Sequence, residues 1–350
     1  KEPTANSQPK NKPSVQPMPK HDPRAIAPSG DVRFSLLADR VDGDGRANDE
    51  MSLAFRSTRT ALGFDADINP ILSARARINA YEAQANDSDS TASAYAIAVR
   101  DLYFDVSPSK HIRVRAGIQS PIFGTKTRFN SPNPNVGYYV ATPIYQTMSQ
   151  AAGLIHSRDN GISIQASLPE NRGTLEAMAG NGTGHLTEET NLAKDLSTRF
   201  TYNATSKWSL LGSVSRQWEV EEIDACRWAY SFATEWRGDQ LRIMGELFGD
   251  SVLNAEDQGM GGQISGAYDI PLSSDKLDSI GIVGRWGHYD PAASTLDAKA
   301  WAVWTTGANL WWSAPEKSRF MTGLGHQVTV PMNADLPIEQ ALMLQGTLIF

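Results

Sequence analysis

The last nine residues, Leu342-Met343-Leu344-Gln345-Gly346-Thr347-Leu348-Ile349-Phe350, decide how the chain is read. Successive side chains of an extended strand point to opposite faces. Leu342, Leu344, Leu348 and Phe350 therefore share one face, and Met343, Gln345, Thr347 and Ile349 share the other. The first face is apolar and the second is mostly polar or small. The same period recurs upstream. In Ile71–Tyr81, Leu72, Ala74, Ala76, Ile78 and Ala80 oppose Ser73, Arg75, Arg77, Asn79 and Tyr81. In His111–Ile118, His111, Arg113 and Arg115 oppose Ile112, Val114, Ala116 and Ile118. Strict period two with charge on one face predicts strands.

Composition narrows the class. Hydrophobic content is 40%, mean hydropathy is −0.37, and no stretch approaches the roughly 20 apolar residues of a membrane helix. Membrane strands escape window hydropathy because lipid-facing and lumen-facing residues alternate. A net charge of −7 and a pI near 5.4 argue against a nucleic-acid partner. Cys226 is the only cysteine, so no intramolecular disulfide and no paired-cysteine metal site is expected. The chain opens at Lys1 without Met, an apolar leader or a lipid-accepting Cys, which reads as a mature, processed product.

Two regions differ in chemistry. Residues 1–30 carry Pro3, Pro9, Pro13, Pro17, Pro19, Pro23 and Pro28 with Lys1, Lys10, Lys12, Lys20 and Arg24. Such a segment predicts an extended, solvated arm. From residue 31 to 350, short alternating segments are joined by tight turns and longer polar loops in turn. Tight connections lie near 68–70, 107–110, 203–206, 237–239 and 313–317; long ones lie near 42–50, 84–92, 182–194, 251–257 and 289–297. That pattern predicts an all-β, transmembrane up-and-down antiparallel barrel of about sixteen strands. Its first strand is expected near 33–41 and its last near 339–350. Trp208 and Trp218 bracket one strand, and Trp301 and Trp311 another, as an aromatic girdle would.

Three stretches in order resemble a known family. They are Thr60-Ala61-Leu62-Gly63-Phe64-Asp65-Ala66-Asp67, Arg100-Asp101-Leu102-Tyr103-Phe104-Asp105 and Val114-Arg115-Ala116-Gly117-Ile118-Gln119-Ser120-Pro121-Ile122-Phe123-Gly124. They are similar to the early strands of Gram-negative outer-membrane porins, particularly the phosphate-selective porin O/P type. Asp159–Ile164 followed by Glu176–Gly182 resembles the next hairpin, and terminal Phe350 resembles the closing residue of such barrels. The resemblance covers roughly residues 52–182 and implies an inward-folded third loop, a homotrimer and residence in the bacterial outer membrane. Both termini would then be periplasmic. Lys126 is the only lysine of the third loop, 119–150.

Parity assigns candidate pore-lining residues. Arg59, Arg75, Arg77, Arg113, Arg115, Arg199 and Arg242 fall on polar faces, and Asp65, Asp67, Asp101, Asp105 and Glu246 are expected to supply the opposing wall. Charge is tolerable beside lumen water and costly beside lipid, and rings of arginine favour anions. Lys126, Arg128, Tyr138, Tyr139 and Tyr145 are candidates on the constricting loop. Arg100 has the wrong parity, which predicts a bulge or a local break of register nearby. A calcium loop framed from Arg40 has Met51 at its twelfth position, where a Glu is needed. No metal or cofactor is expected. The six histidines are scattered and no G-x-S-x-G nucleophile elbow occurs, so no enzyme is expected.

The function expected is a water-filled channel for passive diffusion of small hydrophilic solutes and ions, with mild anion preference. Its partners would be outer-membrane lipid, lipopolysaccharide and further copies of itself. The alternative is a scaffold barrel whose residues 1–30 anchor a periplasmic protein or contact peptidoglycan.

Overall fold

The computed structural model describes residues 26–42, 52–83, 94–125, 158–182, 194–218, 226–252, 258–274, 276–291, 300–312, 319–331 and 338–349. For strand residues 29–42, 52–60, 81–83, 94–96, 252, 319, 339 and 347–349 it describes the backbone alone. Sixteen strands follow one another: β1 (Ile26–Asp42), β2 (Ser52–Asp67), β3 (Leu72–Ala83), β4 (Ala94–Ser109), β5 (Ile112–Gln119), β6 (Asp159–Ser167), β7 (Gly173–Gly180) and β8 (Asp195–Asn203) in the first half, then β9 (Trp208–Trp218), β10 (Cys226–Arg237), β11 (Leu241–Val252), β12 (Gln258–Pro271), β13 (Leu277–Asp290), β14 (Trp301–Trp312), β15 (Arg319–Pro331) and β16 (Ile338–Ile349). Each pairs antiparallel with its sequence neighbours. The ladder closes where Asp31 to Asp42 of β1 meet Ile349 to Ile338 of β16.

Closure explains why these sequences are strands at all. In lipid every backbone N–H and C=O needs an internal partner, and only a closed ladder leaves no edge. The side chains are distributed inside-out relative to a water-soluble protein. On β16, Leu342 and Leu344 are 47% and 52% exposed, while Met343 and Gln345 between them are 1% exposed. The expected parity of the terminal stretch is therefore realised, with leucines outward. Ile162, Ile164, Phe232, Leu247 and Ile282 also face outward, whereas Ser163, Ser231, Glu246 and Gln263 are buried inside. An exposed apolar band around a buried polar lining is the arrangement lipid demands. Phe350 lies outside the described residues.

Two local departures matter. The β3–β4 register slips between Arg77, which faces Asp101, and Ile78, which faces Val99. Arg100 is the extra residue of this bulge, as its parity predicts. The tryptophan girdle is only half as expected. Trp208 and Trp218 share the outward face of β9 with Leu210 and Val214. Trp301 and Trp311, by contrast, point inward: Trp311 is buried, and Trp301 packs on a cluster of Phe123, Ala229, Phe248 and Tyr289. Ten-residue spacing fixes height along a strand but not its face. On β14 the outward positions belong to Trp304 and Trp312.

Candidate functional site

The lumen wall of β2–β5 carries a stack of charged and aromatic side chains. Arg75 of β3 and Arg115 of β5 flank the ring of Tyr103 on β4, with guanidinium carbons 5.9 Å and 3.7 Å from its centroid. Neighbouring strands hold these positions side by side: Arg75 is level with Tyr103, and Arg115 with Asp105. Cation–π contact with the ring face steadies both cations in the wall. Arg115 donates to Asp105 Oδ1 from Nε at 2.7 Å and to Oδ2 from Nη2 at 2.8 Å. Such a bidentate fork fixes the guanidinium plane. Arg75 pairs with Asp65 of β2, and Arg113 donates to Gln165 of β6.

The acids expected on an opposing wall thus stand mostly beside the arginines. Asp65 and Asp105 are on adjacent strands, and Asp101 accepts from Arg158 Nε at 2.6 Å. Pairing does not cancel the exposure of the cations. The Arg115 side chain is 24% exposed against 13% for Asp105, so lumen water meets the guanidinium first. Asp67 and Arg77 also lie on the lumen faces of β2 and β3, with Arg77 level with Asp101. Arg242 is on the lumen face of β11 near the short turn after β10, level with Arg237. Arg59 is level with Arg33 on β1, and its side chain is outside the described residues. Lys126, Arg128, Tyr138, Tyr139 and Tyr145 are also outside them.

After β5 the chain leaves the wall and crosses the lumen. Residues 120–125 run to strands five to eight places round the barrel, and Phe123 is buried against Ala229 of β10, Phe248 of β11 and Tyr289 of β13. At the far side sits Glu246 of β11, itself 2% exposed. Its Oε1 accepts from the Thr125 amide at 3.1 Å and the Ser231 hydroxyl at 2.6 Å. Its Oε2 accepts from the Thr125 hydroxyl and from Gln263 Nε2 at 2.6 Å. Gly124 bends the segment at φ +54, and a Cβ there would collide with Glu246 Oε1; glycine is the residue for which this bend costs least. The Gly124 amide donates to Ser213 Oγ at 2.9 Å, and its carbonyl accepts from Arg199 Nη1 at 3.1 Å. Arg199 is paired at 2.7 Å with Glu176 as well.

The start of the third loop is therefore a docked crossbar. Arg158 ties its two ends together, since the same guanidinium that meets Asp101 donates from Nη1 to Ser120 Oγ at 2.7 Å. Tyr103, Arg158, Glu176, Ser213, Ser231 and Gln263 are site residues that parity alone did not single out. Tyr103 could have been found, because counting in twos puts it on one face with Asp101 and Asp105. Among the described residues no group of three His, Cys, Asp or Glu could hold a metal ion.

Neither a sequence family profile nor a curated protein sequence matches the chain. Solved structures do match. Pseudomonas putida OprB superposes with a TM-score of 0.64 at 8% identity, covering 94% of this chain and 95% of that one. An anion-selective porin from Comamonas acidovorans gives 0.60 at 11% identity, over 93% and 99%. The outer membrane channel DcaP of Acinetobacter baumannii gives 0.59 at 13% identity, over 93% and 97%. At such identities the likeness establishes the architecture, and the chain has the fold of these barrels.

Proposed function

We propose that this protein is an outer-membrane porin, a water-filled channel for passive diffusion of small hydrophilic solutes with mild anion preference. One observation carries the proposal: a closed, inside-out barrel whose polar lumen is crossed by a docked loop root. A closed apolar exterior suits lipid, and a polar interior narrowed by a crossbar suits selective passage of water and solutes. The Arg75–Tyr103–Arg115 stack, with Arg113 beside it, supports the anion preference, because Arg115 reaches lumen water more than its acidic partner Asp105 does and Arg113 donates to the neutral Gln165. A named neighbour of the same fold is anion-selective. No catalytic role is proposed.

The exterior supports an oligomer, proposed as a homotrimer. Among the described side chains, outward tryptophan and tyrosine, which favour the water–lipid boundary, are confined to one side. They are Tyr202, Trp208, Trp218, Trp228, Tyr230, Trp236, Tyr268, Trp286, Trp304 and Trp312, all on β8–β14. Among the described side chains of β2–β7 the outward positions hold no tryptophan or tyrosine. A face without a girdle is suited to another subunit. The long loops are proposed to face outward and the short turns and termini the periplasm, with the residues that precede β1 as a periplasmic arm.

The test is single-channel recording of the purified protein in a planar bilayer, with reversal potential under a KCl gradient. Stepwise openings with a reversal potential on the chloride side are expected. Insertion without conductance would overturn the channel reading and favour the scaffold barrel. A reversal potential on the potassium side would overturn the anion preference.

A further inference from the structure

Among the described side chains, Arg216 is the only arginine or lysine at an outward position of the regular ladder. It follows Trp208, Leu210, Gly212 and Val214 on the outward face of β9, one step before Trp218, at the long-loop end. Its in-register neighbours are Leu196 of β8 and Trp228 of β10, both exposed. A cation in this place meets lipid on the girdled side of the barrel, away from the face suited to a subunit.

The guanidinium is held in a built cradle. It lies 3.9 Å from the Trp218 ring centroid and 5.6 Å from that of Trp228. Its Nε donates to the thiol sulfur of Cys226 at 3.0 Å. Among the described residues no carboxylate pairs with it, and no described oxygen accepts from its two terminal nitrogens. Two aromatic faces and a weak sulfur acceptor orient the fork, and no described residue neutralises it. Among the described residues, four N–H donors are left at the depth where head groups begin.

We propose that Arg216, Trp218 and Trp228 form a lipid-specific site for the phosphate of an anionic membrane-lipid head group at the outer rim of the barrel. The planar fork suits two phosphate oxygens at once, which an ammonium does not reproduce. The acyl chains of the bound lipid would lie along Leu196 beside it and Val214 and Tyr230 below it. The site rests on the reading that the chain spans a membrane with this end at an interface. It does not depend on whether the pore is open.

The test is native mass spectrometry of the full-length protein in detergent, titrated with phosphatidic acid or phosphatidylcholine, for wild type, Arg216→Gln, Arg216→Lys and Trp228→Leu. Wild type should bind one phosphatidic acid per chain about tenfold or more tightly than Arg216→Gln. Arg216→Lys and Trp228→Leu should fall between, and phosphatidylcholine should not discriminate among the four. Heat-modifiable migration on gels checks that each variant is folded. Equal phosphatidic acid binding by wild type and Arg216→Gln overturns the site. Displacement of the lipid by inorganic phosphate at equal concentration overturns the assignment to a lipid, leaving a soluble-anion site. Bilayer conductance of Arg216→Gln should equal that of wild type. A wild-type protein that neither inserts nor conducts would overturn the membrane reading itself, whereas a conducting one with unchanged lipid binding overturns the lipid site alone.

Discussion

Replacing Glu246 with Ala should release the crossbar while leaving the barrel intact. The side chain accepts four hydrogen bonds, two of them from Thr125. Bonds to a charged acceptor are worth about 1.5–3 kcal/mol each, but they are not additive here. The Ser231 and Thr125 hydroxyls and the Gln263 amide can turn to lumen water or to one another. The Thr125 N–H cannot turn, and it loses its acceptor outright. A net loss of about 2–4 kcal/mol from the docked state follows, which lowers the ratio of docked to undocked root roughly 30- to 1,000-fold. None of the sixteen strand pairings involves this carboxylate, so heat-modifiable migration should not change. The readouts are amide hydrogen exchange at Gly124 and Thr125, expected to speed up by that ratio, and open-channel current, expected to become noisier with added substates. Glu246→Gln keeps one oxygen for the Thr125 amide, and its neighbours can reverse, so its effect should be near 1 kcal/mol. A quiet Glu246→Ala channel with wild-type exchange at both amides would refute the latch.

Further expectations concern the bend, the arginine stack and the lipid face. Gly124→Ala places a methyl group against Glu246 Oε1 at a positive φ, and should reproduce the noisy channel at a cost of about 1–2 kcal/mol; a silent substitution would show that the bend is not required. Arg115→Gln removes the more exposed partner of its ion pair and leaves Asp105 in the wall. The reversal potential should move toward the cation side, and an unchanged value would remove this stack from the selectivity argument. Leu247→Arg puts a charge on a side chain that is 68% exposed in the middle of β11. Folding into detergent micelles or liposomes, followed by urea titration, should show a loss of about 2–4 kcal/mol. Wild-type stability there would mean that this face does not meet lipid.

Most of the fold was legible in the chain because strand pattern is local. A residue's face is set by counting in twos, and the alternation of apolar and polar residues reports the two media directly. The last strand, expected near 339–350, is β16 at Ile338–Ile349, and the tight connections expected near 68–70, 203–206 and 237–239 join β2 to β3, β8 to β9 and β10 to β11. The first strand, expected near 33–41, is β1, which begins at Ile26, within the proline-rich segment. Proline is compatible with that position at the start of a strand, where a ladder hydrogen bond can be spared. The mismatch at Arg100 was legible for the same reason, since a bulge is a break in counting.

Near-neighbour periodicity is enough to read the strand order, the apolar exterior and the charged lumen faces from the chain. Which charges meet is settled by the folded barrel. Arg75 finds Asp65 ten residues away across a turn, while Thr125 finds Glu246 at a separation of 121 residues. It also decided that Trp301 and Trp311 look inward, and that Arg216 stands outward between two tryptophans. The Thr125–Glu246 contact depends on barrel closure, which brings β5 and β11 to face each other across one lumen, and no local count of residues contains that distance.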